Sequence, residues 1–252
     1  MNSLIAGPYF LFTKQNDEGA MFQMFKGSNR RFLLLVVLLL AIFSYTVQAG
    51  ENFYCYEYTK AEESWEIGFI MTKRDDRIEI KICDEIKDEV FYYDNTFSTM
   101  LHHIVNEKEK TNLRKTRNNN QIIIEGVVKG EVIQKIIKID ERPWYQNFEI
   151  CLAEFARSDL LKKEFWVINE EDFSAYTMTA RKKGVENIEI HGQAIEAQKV
   201  ELRLSGFLSM FWKAECWYRC SDGIFLKYRG TSGPGTPEMT IVLRKERVGG
   251  AL

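Results

Sequence analysis

Apolar and polar residues alternate along most of this chain. Trp65, Ile67, Phe69 and Met71 share one parity, and Glu66, Gly68, Ile70 and Thr72 the other. After Asp75-Asp76, Ile78, Ile80 and Ile82 alternate with Glu79, Lys81 and Cys83. A period of two marks strands that bury one face. Asp94-Asn95, Asn118-Asn119-Asn120, Lys129-Gly130, Lys183-Gly184 and Asp222-Gly223 are turn signals between such segments. Ser205-Gly206 precedes a further strand predicted over residues 207–220. Its even positions (Leu208, Met210, Trp212, Ala214, Cys216, Tyr218 and Cys220) carry no charge. Its odd positions hold Lys213, Glu215 and Arg219 together with Phe207, Phe211 and Trp217, so the outer face is expected to be partly aromatic. Strands over 224–229 and 239–245 close the sheet.

One segment departs from the period of two. Over residues 140–158, Trp144, Phe148, Cys151, Leu152 and Phe155 fall at i, i+4, i+7, i+8 and i+11, the stripe of an amphipathic helix. Asp140 can cap it, and Pro143 suits its first turn. A lone helix in a long meander must lay its stripe against the sheet. The expected fold is therefore mainly β: a curved antiparallel meander, a half-barrel, wrapped around one amphipathic helix.

The first part of the chain reads as an address. Residues 32–43 are twelve consecutive apolar residues. That is short of the roughly 20 needed to span a bilayer but within the roughly 7–15 of a signal-peptide core. Lys26, Arg30 and Arg31 precede it, and Val47 and Ala49 are the small residues a signal peptidase requires, which places cleavage between Ala49 and Gly50. Met24 gives a signal peptide of ordinary proportions over 24–49, so residues 1–23 read as an over-extended start. The alternative is an uncleaved N-terminal anchor in the inner membrane. Residues 50–252 read as one β domain, exported to the periplasm, in which no further apolar run could span a membrane.

Charge narrows the partners. With 34 basic and 36 acidic residues the chain carries −2. Removing residues 1–49, with their four basic and two acidic residues, takes the remainder to −4. Such a surface does not suit nucleic acid, which is bound through released counterions.

Candidate chemistry is sparse. Cys55, Cys83, Cys151, Cys216 and Cys220 are an odd number of thiols. Cys216 and Cys220 would stand about 13 Å apart on a strand, beyond the roughly 7 Å of a disulfide. Cys55 and Cys83 fall on the first and third segments, apart by a whole strand. All five are expected as buried, reduced thiols that pack as small hydrophobes. His102 and His103 are adjacent and so face opposite ways on a strand, and no metal-ligand spacing accompanies them or His191. Gly230-Thr231-Ser232-Gly233-Pro234-Gly235 lacks the Lys-Ser/Thr of a phosphate loop and reads as a turn. Asp222 is read as a turn residue and Glu170-Glu171 as a solvated loop. No catalytic residue, metal or cofactor is assigned, and no enzymatic activity is expected.

Pro143-Trp144-Tyr145-Gln146, Phe211-Trp212 with Trp217-Tyr218 leading to Asp222-Gly223, and Tyr228-Arg229-Gly230 followed by Gly233-Pro234-Gly235-Thr236-Pro237 form a combination. It resembles a domain-of-unknown-function family of exported bacterial proteins similar to the half-barrel envelope proteins related to Lol-type lipoprotein carriers. The resemblance extends over residues 50–246. It implies an antiparallel sheet around a helix with an apolar concavity, and transfers no catalytic residue. Trp144, Phe148 and Phe155 on the helix, with Trp166 and Trp212 on strands, are the expected lining of that concavity, or else simply the core. The expected ligand is apolar or amphipathic, a lipid or lipidated protein. The rival expectation is a structural or assembly protein that binds an envelope partner through the face of Phe207, Phe211 and Trp217.

Overall fold

Residues 50–83, 87–206, 210, 212–231 and 236–249 are described by a computed structural model of the chain. The chain divides into two units, Met1–Thr46 and Val47–Leu252, and the described residues all belong to the second. The signal segment, Ala49 and the aromatics Phe207 and Phe211 lie outside the described residues.

The alternating segments become strands in chain order: β1 Glu51–Lys60, β2 Glu63–Lys73, β3 Ile78–Cys83, β4 Asp88–Tyr93, β5 Thr99–Asn106, β6 Thr111–Asn118, β7 Gln121–Val128 and β8 Glu131–Lys138. After a short helix come β9 Lys162–Ile168, β10 Ala175–Ile190, β11 Gln193–Leu204, β12 Lys213–Arg219, β13 Phe225–Thr231 and β14 Glu238–Val248. All fourteen join one antiparallel sheet, ordered β8 through β1, then β14 through β9. Short hairpins account for nearly every neighbour. The exception is β1 against β14, which joins the two ends of the domain.

Cross-strand rows define the inner face. One runs Ile124–Lys115–His102–Phe91–Ile80–Met71 from β7 to β2. Another runs Trp65–Tyr58–Ile241–Tyr228–Cys216–Val200 from β2 to β11. On the outer face of β11 and β12, Glu201 is ringed by Lys183, Arg203 and Lys213, and Glu215 by Lys199, Lys213 and Arg229. Charge pairing of this kind belongs to the solvent side.

The sheet is unclosed, and its curl is completed by a three-residue stitch. Trp166 N–H in β9 donates to Pro143 O (2.8 Å), Tyr145 N–H to Trp166 O (2.8 Å), and Thr99 N–H at the start of β5 to Trp144 O (2.7 Å). This overturns the expectation of a helix from Asp140. The Asp140 carboxylate is engaged by the backbone N–H and guanidinium of Arg142 and by the indole of Trp166. Backbone groups that a helix would use internally pair instead with β9 and β5. The helix begins at Phe148 and runs as α1 Phe148–Cys151 and α2 Ala153–Arg157, joined at Leu152. Its stripe survives as buried Cys151, Leu152 and Phe155, without Trp144.

Two apolar clusters result. The larger holds the helix against the inner faces of β1–β4 and β9–β14, including Tyr56, Tyr93, Leu152, Phe155, Tyr218 and Tyr228. The smaller packs Leu113, Ile122 and Ile124 against Trp144, Ile168 and Phe173. Gly223 seats the β12–β13 turn on the helix: its φ is +77°, and a Cβ would stand 2.8 Å from Ala153 O. Gly126 lets β7 approach β6, since a Cβ there would meet Asn112 O at 2.1 Å.

The strand expected from residue 207 begins only at Lys213. Met210, expected on its buried parity, is 71 % exposed. Trp217, expected on an open aromatic face, is buried. The ammonium groups of Lys199 and Lys227 lie 5.0 and 5.6 Å from its ring centroid, and its indole N–H donates to Glu186. Long lysine stems cover the ring although its parity is outward. All five cysteines are free, and Cys55 and Cys83 are separated across β2 by Gly68, as their strand spacing requires. Only Cys55, Cys151 and Cys216 are buried; Cys83, at the end of β3, is exposed and Cys220, in the β12–β13 turn, is half-buried, because both stand where the strands give way to turns.

Candidate functional site: the interior of the curl

The five aromatics expected to line a concavity divide between the two clusters. Trp144 is fully buried in the smaller one, its indole N–H donating to Gln146 Oε1 (3.0 Å). Trp166 packs against the same cluster, half-buried beneath the Arg142 guanidinium (4.7 Å). Phe148, Phe155 and Trp212 belong to the larger cluster. Phe155 and Trp212 are buried, and the Trp212 N–H donates to Thr231 O (2.9 Å).

An apolar cleft of about 120 Å³ lies elsewhere, between the helix (Ile150, Ala153), the inner face of β1–β3 (Tyr54, Tyr56, Phe69) and the β12–β13 turn. A cavity of about 150 Å³ holds one benzene, so this cleft takes a few methylenes at most. The inner face is not wholly filled beyond it. Tyr58, Ile67, Ile82 and Met239 pack on the larger cluster yet keep part of their surface accessible.

Polar groups converge on that interior. Glu149, in the first turn of α1, is half-buried, and its carboxyl is pushed up to about 7 by burial, opposed only by a backbone N–H. Among the described residues no cation pairs with it. Burial raises the pKa of Tyr58, Tyr93, Tyr218 and Tyr228 and of the Cys151 and Cys216 thiols, and the Glu149 charge adds to the rise at each. The Tyr93 and Tyr218 hydroxyls are buried and, among the described residues, meet no oxygen or nitrogen partner. Each lies beside a thiol, Cys151 and Cys216 respectively, and thiols are weak partners. Buried hydroxyls left in this way are uncommon in folded proteins.

A second polar group crosses β4, β5 and β6. Lys87 Nζ lies 2.7 Å from Glu89 Oε2, Glu89 Oε1 lies 2.6 Å from His102 Nε2, and His102 Nδ1 lies 3.3 Å from Lys115 Nζ. Lys115 Nζ in turn reaches Glu170 Oε1 at 3.2 Å. Glu170, expected in a solvated loop, thus turns one oxygen inward, and its loop closes over the smaller cluster through Phe173. Burial lowers the His102 pKa, and the neighbouring Lys115 charge lowers it further against the pull of Glu89. Burial would raise Glu89, but its bonds to His102 and Lys87 prevail and hold it low. Glu89, His102 and Glu170 bring three ligand-type atoms within 4.8 Å of one another. The Lys115 ammonium already supplies positive charge there, within hydrogen-bonding distance of two of them, so the donor set is matched without a metal. Sequence reading missed this group, although Glu89, His102 and Lys115 each break the apolar parity of their strands; Lys87 and Glu170 come from loops.

No family model matches the chain, and no curated protein matches it in sequence. Among solved structures, it is similar to a β-barrel-like protein of the domain-of-unknown-function family DUF1849 from Brucella abortus. That match has a TM-score of 0.55 and 8 % identity, covering 80 % of this chain and 99 % of that one. Looser likenesses are to the lipoprotein YmcC of Escherichia coli (TM-score 0.33, 12 % identity, 84 % and 96 % covered) and to a domain described as outer-membrane lipoprotein-sorting from Vibrio parahaemolyticus (0.24, 10 %, 81 % and 87 %). The resemblance read from the sequence is met at the level of fold: this chain has the β-barrel-like architecture of the Brucella protein.

Proposed function

We propose that the protein is an exported binding protein of the cell envelope that takes an amphipathic ligand into the interior of its curled sheet. The observation that carries the reading is the unmatched polarity of that interior. Among the described residues Glu149 pairs with no cation and the Tyr93 and Tyr218 hydroxyls have only thiols beside them, next to an apolar inner face that is partly open. A pocket for such a ligand is mostly apolar with a few polar groups that orient it. Hydrocarbon burial would contribute about 0.8 kcal/mol per methylene. No covalent step is part of the proposal. The signal-like segment before Gly50 and the small residues Val47 and Ala49 support export. The test is native mass spectrometry of protein purified from an envelope fraction, together with titration of a fluorescent acyl probe. Co-purified lipid and saturable probe binding are expected. Absence of both would end the reading.

A second reading, an assembly protein, draws on β8. Its outer edge pairs with no strand among the described residues, and Val132 and Ile136 on it are 83 % and 60 % exposed. Such an edge can accept a partner's strand. Cross-linking from Val132 in envelope preparations tests it: a specific protein adduct supports assembly, and none at all removes it.

A further inference from the structure

We infer that the outward face of β9–β11 docks on a bilayer of anionic phospholipid, with Leu160 and Leu161 entering its surface and the cleft beside them receiving a head-group phosphate. The inference concerns the outside of the sheet and does not depend on what the interior binds.

Exposed apolar residues mark the place. Leu160 is 53 % exposed and Leu161 75 %, side by side between the helix and β9. Leu161 is tied down, since its carbonyl accepts from the Lys182 N–H of β10 (3.1 Å). The next residue, Lys162, opens β9 and lines an outward cleft of about 470 Å³ together with Thr179, Arg181, Arg203 and Ser205. That volume falls within the roughly 300–1,000 Å³ of small-ligand sites. Gly206, also in the lining, leads into the connection to β12, where Met210 is exposed as well.

Charge says which surface the leucines meet. Two adjoining outward rows cross the sheet, Lys162–Arg181–Glu201–Glu215–Arg229 and Glu164–Thr179–Arg203–Lys213. They hold five cations against three carboxylates, although residues 50–252 together carry −4. Glu201 and Glu215 sit within their rings of cations, and Glu164 lies against Lys162 and Arg142. Arg181 is exposed and, among the described residues, meets no carboxylate. A guanidinium can take a phosphate through two parallel N–H bonds. Thr179 Oγ1 and Ser205 Oγ stand 3.1 Å apart and share one proton, so the other hydroxyl proton is left to donate to a ligand oxygen.

The two features together select lipid. A free phosphate or a soluble polyanion would use the cations but not the leucines. A neutral apolar surface would use the leucines and leave Arg181 unmet. At an anionic bilayer, apolar insertion and attraction to the head groups add.

The experiment is co-sedimentation of the protein, purified from an envelope fraction, with vesicles of phosphatidylglycerol or of phosphatidylcholine. The anionic vesicles are expected to bind at least about tenfold more tightly, with the advantage shrinking at high salt. Arg181→Ala is expected to weaken that binding about fivefold, the scale of one cation near a charged membrane. Leu160→Ser combined with Leu161→Ser is expected to weaken it about tenfold or more. These side chains are exposed, so circular dichroism of both variants should match the parent. Arg114→Ala, exposed on the outward face of β6, is expected to change nothing. Equal binding to both vesicles, or binding to neither, overturns the inference. Full affinity in the leucine variant, or an equal loss in Arg114→Ala, overturns it too, because attraction would then be unspecific. Displacement by inorganic phosphate at matched ionic strength also overturns it, and makes the cleft a site for soluble phosphate.

Discussion

His102 donates its Nε2 proton to Glu89 Oε1 across 2.6 Å, where the first is fully buried and the second 5 % exposed. The partner on each side of the ring fixes the tautomer. Glu89 accepts at Nε2–H, and the Nδ1 lone pair accepts from Lys115 Nζ. A neutral imidazole thus relays between a carboxylate and an ammonium. Removing Lys115 would leave Nδ1 without its donor and Glu170 without its cation. Lys115→Ala is expected to cost roughly 2–4 kcal/mol. Glu170→Gln should cost under about 1 kcal/mol, because the Glu170 side chain is 48 % exposed. Urea unfolding of both variants checks the ordering.

The same group sets an acid limit. His102 is held below its unfolded pKa of about 6.5, so the folded protein binds fewer protons than the unfolded chain and stability falls as pH drops below that value. Glu89, also depressed, adds its loss below its unfolded pKa of about 4.3. Thermal melts are expected to fall in two stages on acidification, and His102→Gln should remove the upper one.

Glu149 acts with the opposite sign. Its folded pKa of about 7 lies above the ordinary 4.5, so stability is complete below 4.5 and is lost as pH rises toward 7. Glu149→Gln is expected to stabilise by about 2 kcal/mol at pH 8, allowing for partial exposure, and by almost nothing at pH 4.5. In a domain of this size that corresponds to roughly 4–8 °C in Tm at the higher pH.

Core and pocket roles separate at the tryptophan pair. Trp144 is fully buried and Trp166 half-buried. Trp144→Ala should cost about 3–5 kcal/mol. Trp166→Ala should cost roughly 1–2 kcal/mol. Neither should change acyl-probe affinity in the folded fraction, measured by fluorescence below the melting range, because both residues belong to the smaller cluster rather than to the surroundings of Glu149.

Backbone approach is decisive at one glycine. Gly126 has φ +138°, and a Cβ would stand 2.1 Å from Asn112 O. Gly126→Ala is expected to destabilise by at least about 2 kcal/mol. Gly130→Ala, with a positive φ but nothing within 4 Å, should cost less. Their denaturation midpoints test the contrast.

The alternating pattern settled most of the architecture. Trp65 to Met71 and Ile78 to Ile82 became β2 and β3, and Asp222-Gly223 became the turn seated on the helix. Local period and turn chemistry act over a few residues, so a linear reading captures them. The helix start escaped it because Asp140, Pro143 and Trp144 have helical promise locally but pair with Arg142, Trp166 and Thr99, and Thr99 stands 45 positions away from Trp144. Trp217 escaped because the side chains that cover it come from β11 and β13. The polar interior escaped for the same reason. Glu89, His102 and Lys115 each look like one polar interruption in its own strand, and only the register of β4, β5 and β6 sets them side by side. Sequence alone determined which residues alternate and where the chain turns, since those preferences are local. The tertiary structure decided which charges meet and which, like Glu149, find no cation among the described residues, because desolvation and pairing depend on neighbours that only folding brings together.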